Sequence, residues 1–213
     1  MVFNQKIALQ TAELLLQINA IKLNSKNPFI WASGWKSPIY CDNRVALSYH
    51  DIRTFLCNAI AKEIQDKFDS NIIIAGVATG AIGIGMLVAQ ILELPFIYVR
   101  PEAKKHGRKN QIEGKLEPNQ KVVVIEDLIS TGKSSLNAVN AIRKAQCEIV
   151  GMLALFTYGF PQASIAFKEA QVTLKTLCDY QHLLSSALQQ NKITETEVQN
   201  LHKWRKDPSN WAP

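Results

Sequence analysis

The chain has 213 residues, of which 47% are hydrophobic and 20% charged, a composition that suits one soluble α/β domain with a substantial core. Its net charge of +6 is local: residues 100–109, RPEAKKHGRK, supply +4 of it, which argues against a broad nucleic-acid face and for one anion-binding device. Cys41, Cys57, Cys147 and Cys178 form no CxxC pair and have no histidines at metal spacing, so free thiols in a reducing cytosol are expected and a zinc site is not.

Ile7, Leu14, Leu15 and Ile18 fall at helical spacing and predict a first helix of about four turns. Glu13 interrupts the apolar run and no cleavage motif follows, so the segment reads as an amphipathic helix and not as a signal peptide. WASGWKSPIYCDNR, from Trp31, reads as short strands joined by a glycine turn, with Pro38 favouring an edge. Ser48 or Tyr49 opens a second helix through Phe55, Leu56, Ile60 and Ile64.

Strands and helices then alternate: strand 72–75, helix 81–92, strand 96–99, a basic loop, strand 121–125, helix 134–145, strand 149–156 and strand 172–177. Helices over 179–189 and 194–205 close the chain. This order predicts a mostly parallel sheet with right-handed crossovers. Residues 72–92 carry no charge and satisfy the length rule for a membrane span. Ile72-Ile73-Ile74 followed by Gly76, Gly80, Gly83 and Gly85 is better explained as a strand, a glycine turn and a buried helix. Residues 100–119 show little sign of secondary structure, and a connection of that length within a compact domain marks a functional lid or disorder.

The most informative segment is VVVIEDLISTGKSS, from Val122 to Ser135. A β-branched run delivers Glu126 and Asp127 to the carboxyl edge of a sheet, where α/β proteins bind ligands. The hydroxyl-rich turn Ser130-Thr131-Gly132-Lys133-Ser134-Ser135 then opens a helix whose N–H groups suit an anion. Acceptors for hydroxyls beside donors for phosphate describe a sugar phosphate. The bland alternative is a pair of acids that solvate a strand end. A P-loop would need glycine where Asp127 stands, and the glycines from Gly76 to Gly85 form no GxGxxG.

These residues carry a resemblance. VVVIEDLISTGKSS resembles the phosphoribosyl pyrophosphate signature of type I phosphoribosyltransferases. SGWKSPIYCDNR, from Ser33 to Arg44, resembles the substrate hood of the orotate phosphoribosyltransferase family. VATGAIGIG, from Val77, resembles the family's pyrophosphate-side loop, and YVRPEAKKHGRKNQIEGKL, from Tyr98, its mobile catalytic loop. The blocks occur in the family's order. The resemblance implies a type I phosphoribosyltransferase-like parallel sheet flanked by helices, with a small N-terminal hood. Residues 1–48 would form the first helix and hood, 49–178 the core with mobile loop 100–119, and 179–213 helices packing on both.

It further implies transfer of a phosphoribosyl group from phosphoribosyl pyrophosphate to orotate with inversion, in pyrimidine synthesis. Mg2+ would ride on the substrate pyrophosphate, without assigned protein ligands. Arg100, Lys104 and His106 would stabilise the leaving group and exclude water. Glu126 and Asp127 would hold the ribose hydroxyls; Leu128, Ile129, Ser130, Thr131, Gly132, Lys133 and Ser134 would cradle the 5′-phosphate. Ser130 would lie near orotate, and Lys36 would either bind the orotate carboxylate or solvate a turn. The loop would act on a neighbouring subunit in a cytoplasmic homodimer, without nucleic-acid or membrane partners. Trp31 and Trp35 are expected to pack the hood on the core, and His50, His182 and His202 to stand without partners.

Ala32 and Pro101 replace lysines found in some family members, ALFTYGFP from Ala154 lacks an arginine that others place there, and Lys133 replaces a frequent glycine. The rivals are a purine phosphoribosyltransferase, against which the hood argues, and a non-catalytic sensor of phosphoribosyl pyrophosphate, against which the basic loop argues.

Overall fold

The computed structural model describes residues 2–31, 34–102 and 110–211. Helix α1 (Gln5–Gln17) is capped by Asn4, whose side chain accepts the Ile7 N–H at 2.8 Å. Strands β1 (Ile21–Leu23), β2 (Phe29–Ile30), β3 (Lys36–Ser37) and β4 (Ile39–Cys41) form two small antiparallel pairs, β1 with β4 and β2 with β3. A 3₁₀ turn, Asn43–Ser48, leads into α2 (His50–Lys67).

The wound part follows as β5 (Ile73–Val77), α3 (Ile82–Leu92), β6 (Phe96–Val99), β7 (Ile112–Glu113), β8 (Lys121–Ile129) and α4 (Lys133–Lys144). It continues through β9 (Glu148–Thr157), α5 (Pro161–Glu169), β10 (Leu174–Asp179), α6 (Tyr180–Gln189) and α7 (Glu195–Lys206). The central sheet is six-stranded in the order β10-β9-β8-β5-β6-β7, with only β7 antiparallel to its neighbour.

The apolar run of β8 is continuous because both faces of the sheet are covered. Val123 and Ile125 join the core beneath α1, α2, α3, α6 and α7, while Val122, Val124 and Ile129 join the core beneath α4 and α5. Residues 72–92 divide between β5 and α3, and among the described residues no helix is long and apolar enough to cross a membrane.

Two expectations are corrected. Strand β8 does not stop at 125: Glu126, Leu128 and Ile129 stay in register with Ala154, Phe156 and Thr157 of β9. The paired acids therefore belong to the strand itself. The connection 100–119 also carries secondary structure on its return, at Ile112–Glu113. The Arg100 N–H donates to Gln111 O at 2.9 Å, and β7 folds back on β6 with Ile112 opposite Val99 and Glu113 opposite Tyr98.

Candidate active site

Strand β8 carries the acids to the carboxyl edge of the sheet. Glu126 is only 4% exposed. Its Oε1 accepts the Asp127 N–H at 3.0 Å and its Oε2 accepts the Ser135 hydroxyl at 2.8 Å. Burial, and then the neighbouring Asp127 charge, push the Glu126 carboxyl well above its ordinary value of 4.5. An acid so placed is no solvated strand end.

Asp127 is half-buried, and its carboxylate lies against the turn between β5 and α3. A Cβ on Gly80 would collide with that carboxylate, so the glycine is what lets the two approach. The Asp127 carbonyl accepts from Asn43 Nδ2 at 2.6 Å. The acid expected on the ribose side and the loop expected on the pyrophosphate side thus share one space.

Beyond β8 the chain turns at Gly132, whose φ of +82° and contact with the Phe167 ring leave no room for a side chain. Helix α4 starts there without a side-chain cap and without an acid in its first turn. Its leading N–H groups have no side-chain cap, and Thr131, Lys133 and Ser134 beside them are exposed, an arrangement suited to cradle an anion. Ile129 contributes differently: its side chain is buried, and its carbonyl accepts from the Tyr158 N–H at 3.1 Å and the Thr157 hydroxyl at 3.3 Å.

Next to this cradle lies a cavity of about 480 Å³. Leu128, Ser130 and Thr131 form one wall; Trp31, Trp35, Tyr40 and Cys41 of the hood form the other, with Ile30 and Tyr158 completing it. Aromatic walls with a few polar groups suit a flat heterocycle. Trp31 has two roles: its ring packs 5.2 Å from Tyr158 and 5.5 Å from Trp204, and it also lines the cavity.

The remaining sequence-predicted residues fall in different places. Arg100 sits at the loop root, with Nη1 3.4 Å from Glu113 Oε1. Gln111 donates to the Arg100 carbonyl and Asn137 of α4 to the Pro101 carbonyl, each at 2.8 Å, which pins that root. Lys104 and His106 lie outside the described residues, as do Ala32 and Ser33. The Lys36 side chain is exposed and takes no part in the cavity wall; its carbonyl accepts the Trp204 indole N–H at 3.2 Å. His50 and His182, expected to be alone, contact Asp51 at 3.0 Å and Asp179 at 2.7 Å.

Asn43 and Tyr158 were not singled out from the sequence, and Gly80 only as one glycine of a turn. The only local signal was their membership of the hood, the glycine-rich turn and ALFTYGFP, because each acquires its role from a partner distant in the chain.

Residues 46–175 match the model of the phosphoribosyl transferase domain family. An orotate phosphoribosyltransferase of Phocaeicola vulgatus is 59% identical over 200 residues, covering 94% of each chain. One from Listeria monocytogenes is 46% identical over 203 residues, covering 95% of this chain and 97% of its own. The crystal structure of orotate phosphoribosyltransferase from Aeropyrum pernix superposes with a TM-score of 0.72 at 26% identity, over 86% of this chain and 99% of that one. A hood facing a phosphoribosyl signature, together with near-full-length identity of this order, means that the chain belongs to the orotate phosphoribosyltransferase family.

Proposed function

We propose that this enzyme transfers the 5-phosphoribosyl group of phosphoribosyl pyrophosphate to orotate, giving orotidine 5′-monophosphate and pyrophosphate. The observation that carries the reading is the single cleft in which Ser130 and Thr131 of the anion-binding turn face the aromatic hood. Donor and acceptor sites meet there, as a direct displacement requires.

In the reaction a bond forms between the base nitrogen and the ribose anomeric carbon as the bond from that carbon to pyrophosphate breaks. The Asp127 carboxylate accepts from the ribose hydroxyls, held in place by the buried Glu126. The uncapped start of α4 binds the 5′-phosphate. Arg100, with Lys104 and His106 of the same loop, offsets the charge developing on the leaving group. The half-buried Asp127 beside the Gly80 turn fits a Mg2+ ion carried in on the pyrophosphate oxygens, with few protein ligands. Such an ion would supply charge neutralisation to the leaving group.

The basic loop acts on the site of a second copy in a homodimer; exposed Met86 and Ile91 on α3 and Tyr49 before α2 offer apolar surface for such a contact. A cytoplasmic location for pyrimidine synthesis agrees with four unbridged cysteines. The test is the spectrophotometric loss of orotate on addition of phosphoribosyl pyrophosphate and Mg2+. Turnover of adenine or hypoxanthine with none of orotate would overturn the assignment. Substitution Lys104→Ala is expected to lower kcat far more than donor binding, because the loop charge matters most in the transition state.

A further inference from the structure

Asn43 is a buried polar side chain, 1% exposed, to which the chemistry above gives no task. It stands at the start of the 3₁₀ turn, directly after the hood strand that carries Tyr40 and Cys41 into the base cavity. Its Nδ2 donates to the Asp127 carbonyl at 2.6 Å, and its Oδ1 accepts from the Cys41 thiol at 3.3 Å.

The reason that this bond is needed lies in the sheet. In a parallel strand the N–H and C=O of one residue face the same neighbour. Pairing of β8 with β5 ends at Ile125 opposite Gly76, and the Ala78 N–H already turns to Val99 of β6. Asp127, two residues beyond Ile125, has no register partner in β5, and it is the one residue between Glu126 and Ile129 without a register partner in β9. Buried backbone groups require partners, and here side chains supply them: Glu126 takes the N–H and Asn43 donates to the carbonyl. These two bonds act on the Asp127 peptide beside the β8–β9 ladder, which pairs Glu126 before it and Leu128 after it.

We infer that Asn43 is a positioning residue that locks the hood wall of the base cavity and the Asp127 peptide into one frame, so that the acceptor is aimed at the anomeric carbon. The inference rests on reading the cleft as a joint donor and acceptor site. Each half-site survives without the bond; their mutual alignment does not.

The test uses Asn43→Leu, which is nearly isosteric and lacks the donor, and Asn43→Asp, which keeps the shape and regains a donor only when protonated. Misalignment of bound reactants is expected to lower kcat about 10- to 100-fold while both KM values change by less than about threefold. The ratio of Asn43→Asp to wild-type kcat should rise as pH falls. Active-site content is counted by calorimetric titration with phosphoribosyl pyrophosphate.

Normal kcat in Asn43→Leu overturns the inference. A fall in kcat that merely follows a fall in active sites does so too, as does failure of both variants to fold, since Asn43 would then serve folding alone. The split is measured with whichever base the wild type consumes. Failure with orotate but success with adenine strikes the function above and leaves Asn43 to be judged on adenine, whereas a wild type that consumes no base removes both.

Discussion

Glu126 shows what the site costs at the level of one side chain. Its carboxyl sits above its ordinary value of 4.5 because it is buried beside the Asp127 charge, although Ser135 and the Asp127 peptide donate to it. The folded chain therefore retains a proton that the unfolded chain has lost, so the contribution of Glu126 to stability declines as pH rises past about 4.5 towards the folded value. Substitution Glu126→Gln removes that penalty. Its melting temperature should exceed the wild type's by a margin that widens to about 2–4 °C as pH rises above about 4.5, with at least about a tenfold loss of activity. A margin that stays flat with pH would sink this account. Gly80 makes the complementary case, since its φ is not positive and it is needed for space alone. Gly80→Ala should displace the Asp127 carboxylate and reduce kcat/KM by about 100-fold, with the melting temperature nearly unchanged; steady-state kinetics beside a thermal melt decides it. The identity of the acids was legible because neighbours in sequence make the motif. Their orientation was not, since Asn43 reaches Asp127 across 84 positions.

Among the elements, α7 was readable as a helix and opaque as a participant. Its capping box, Thr194 with Glu197, and its closing Lys203, Arg205 and Lys206 are local signals. Nothing local says that Trp204, fully buried, packs on Trp31, Tyr158, Phe160 and Tyr180 and donates to the carbonyl of Lys36 in the hood. The last long helix is thus a buttress of the cavity between hood and core. Trp204→Ala should cost about 3–5 kcal/mol in a denaturant melt, the range for deleting a large buried aromatic. Where the variant is still folded, its KM for the base should rise more than its KM for the donor. Equal rises would place α7 outside base recognition. The strand β7 was missed for a related reason: two residues are too few to show a period, and they pair only because β6 supplies an open edge.

At the scale of the whole molecule, the basic loop springs from β6 and returns through β7 at the far side of the sheet from β10. If the loop serves a neighbouring copy, mixing Lys104→Ala subunits with Asp127→Ala subunits restores part of the activity that each lacks alone. Absence of recovery after verified subunit exchange would count against shared sites. The sequence by itself determined the strand–helix alternation, the donor signature and the kind of reaction, since these are written in windows of ten or so residues through periodicity, turn chemistry and motif order. Only the tertiary structure decided that Glu126 is buried while Asp127 faces the Gly80 turn, and that Tyr158 and the hood enclose one cavity. It also decided that Asn43 and Trp204 tie the hood to the core. Those features depend on where β5 stops relative to β8 and on how α7 returns across 168 positions to the hood, and packing of distant segments leaves no local pattern in the chain.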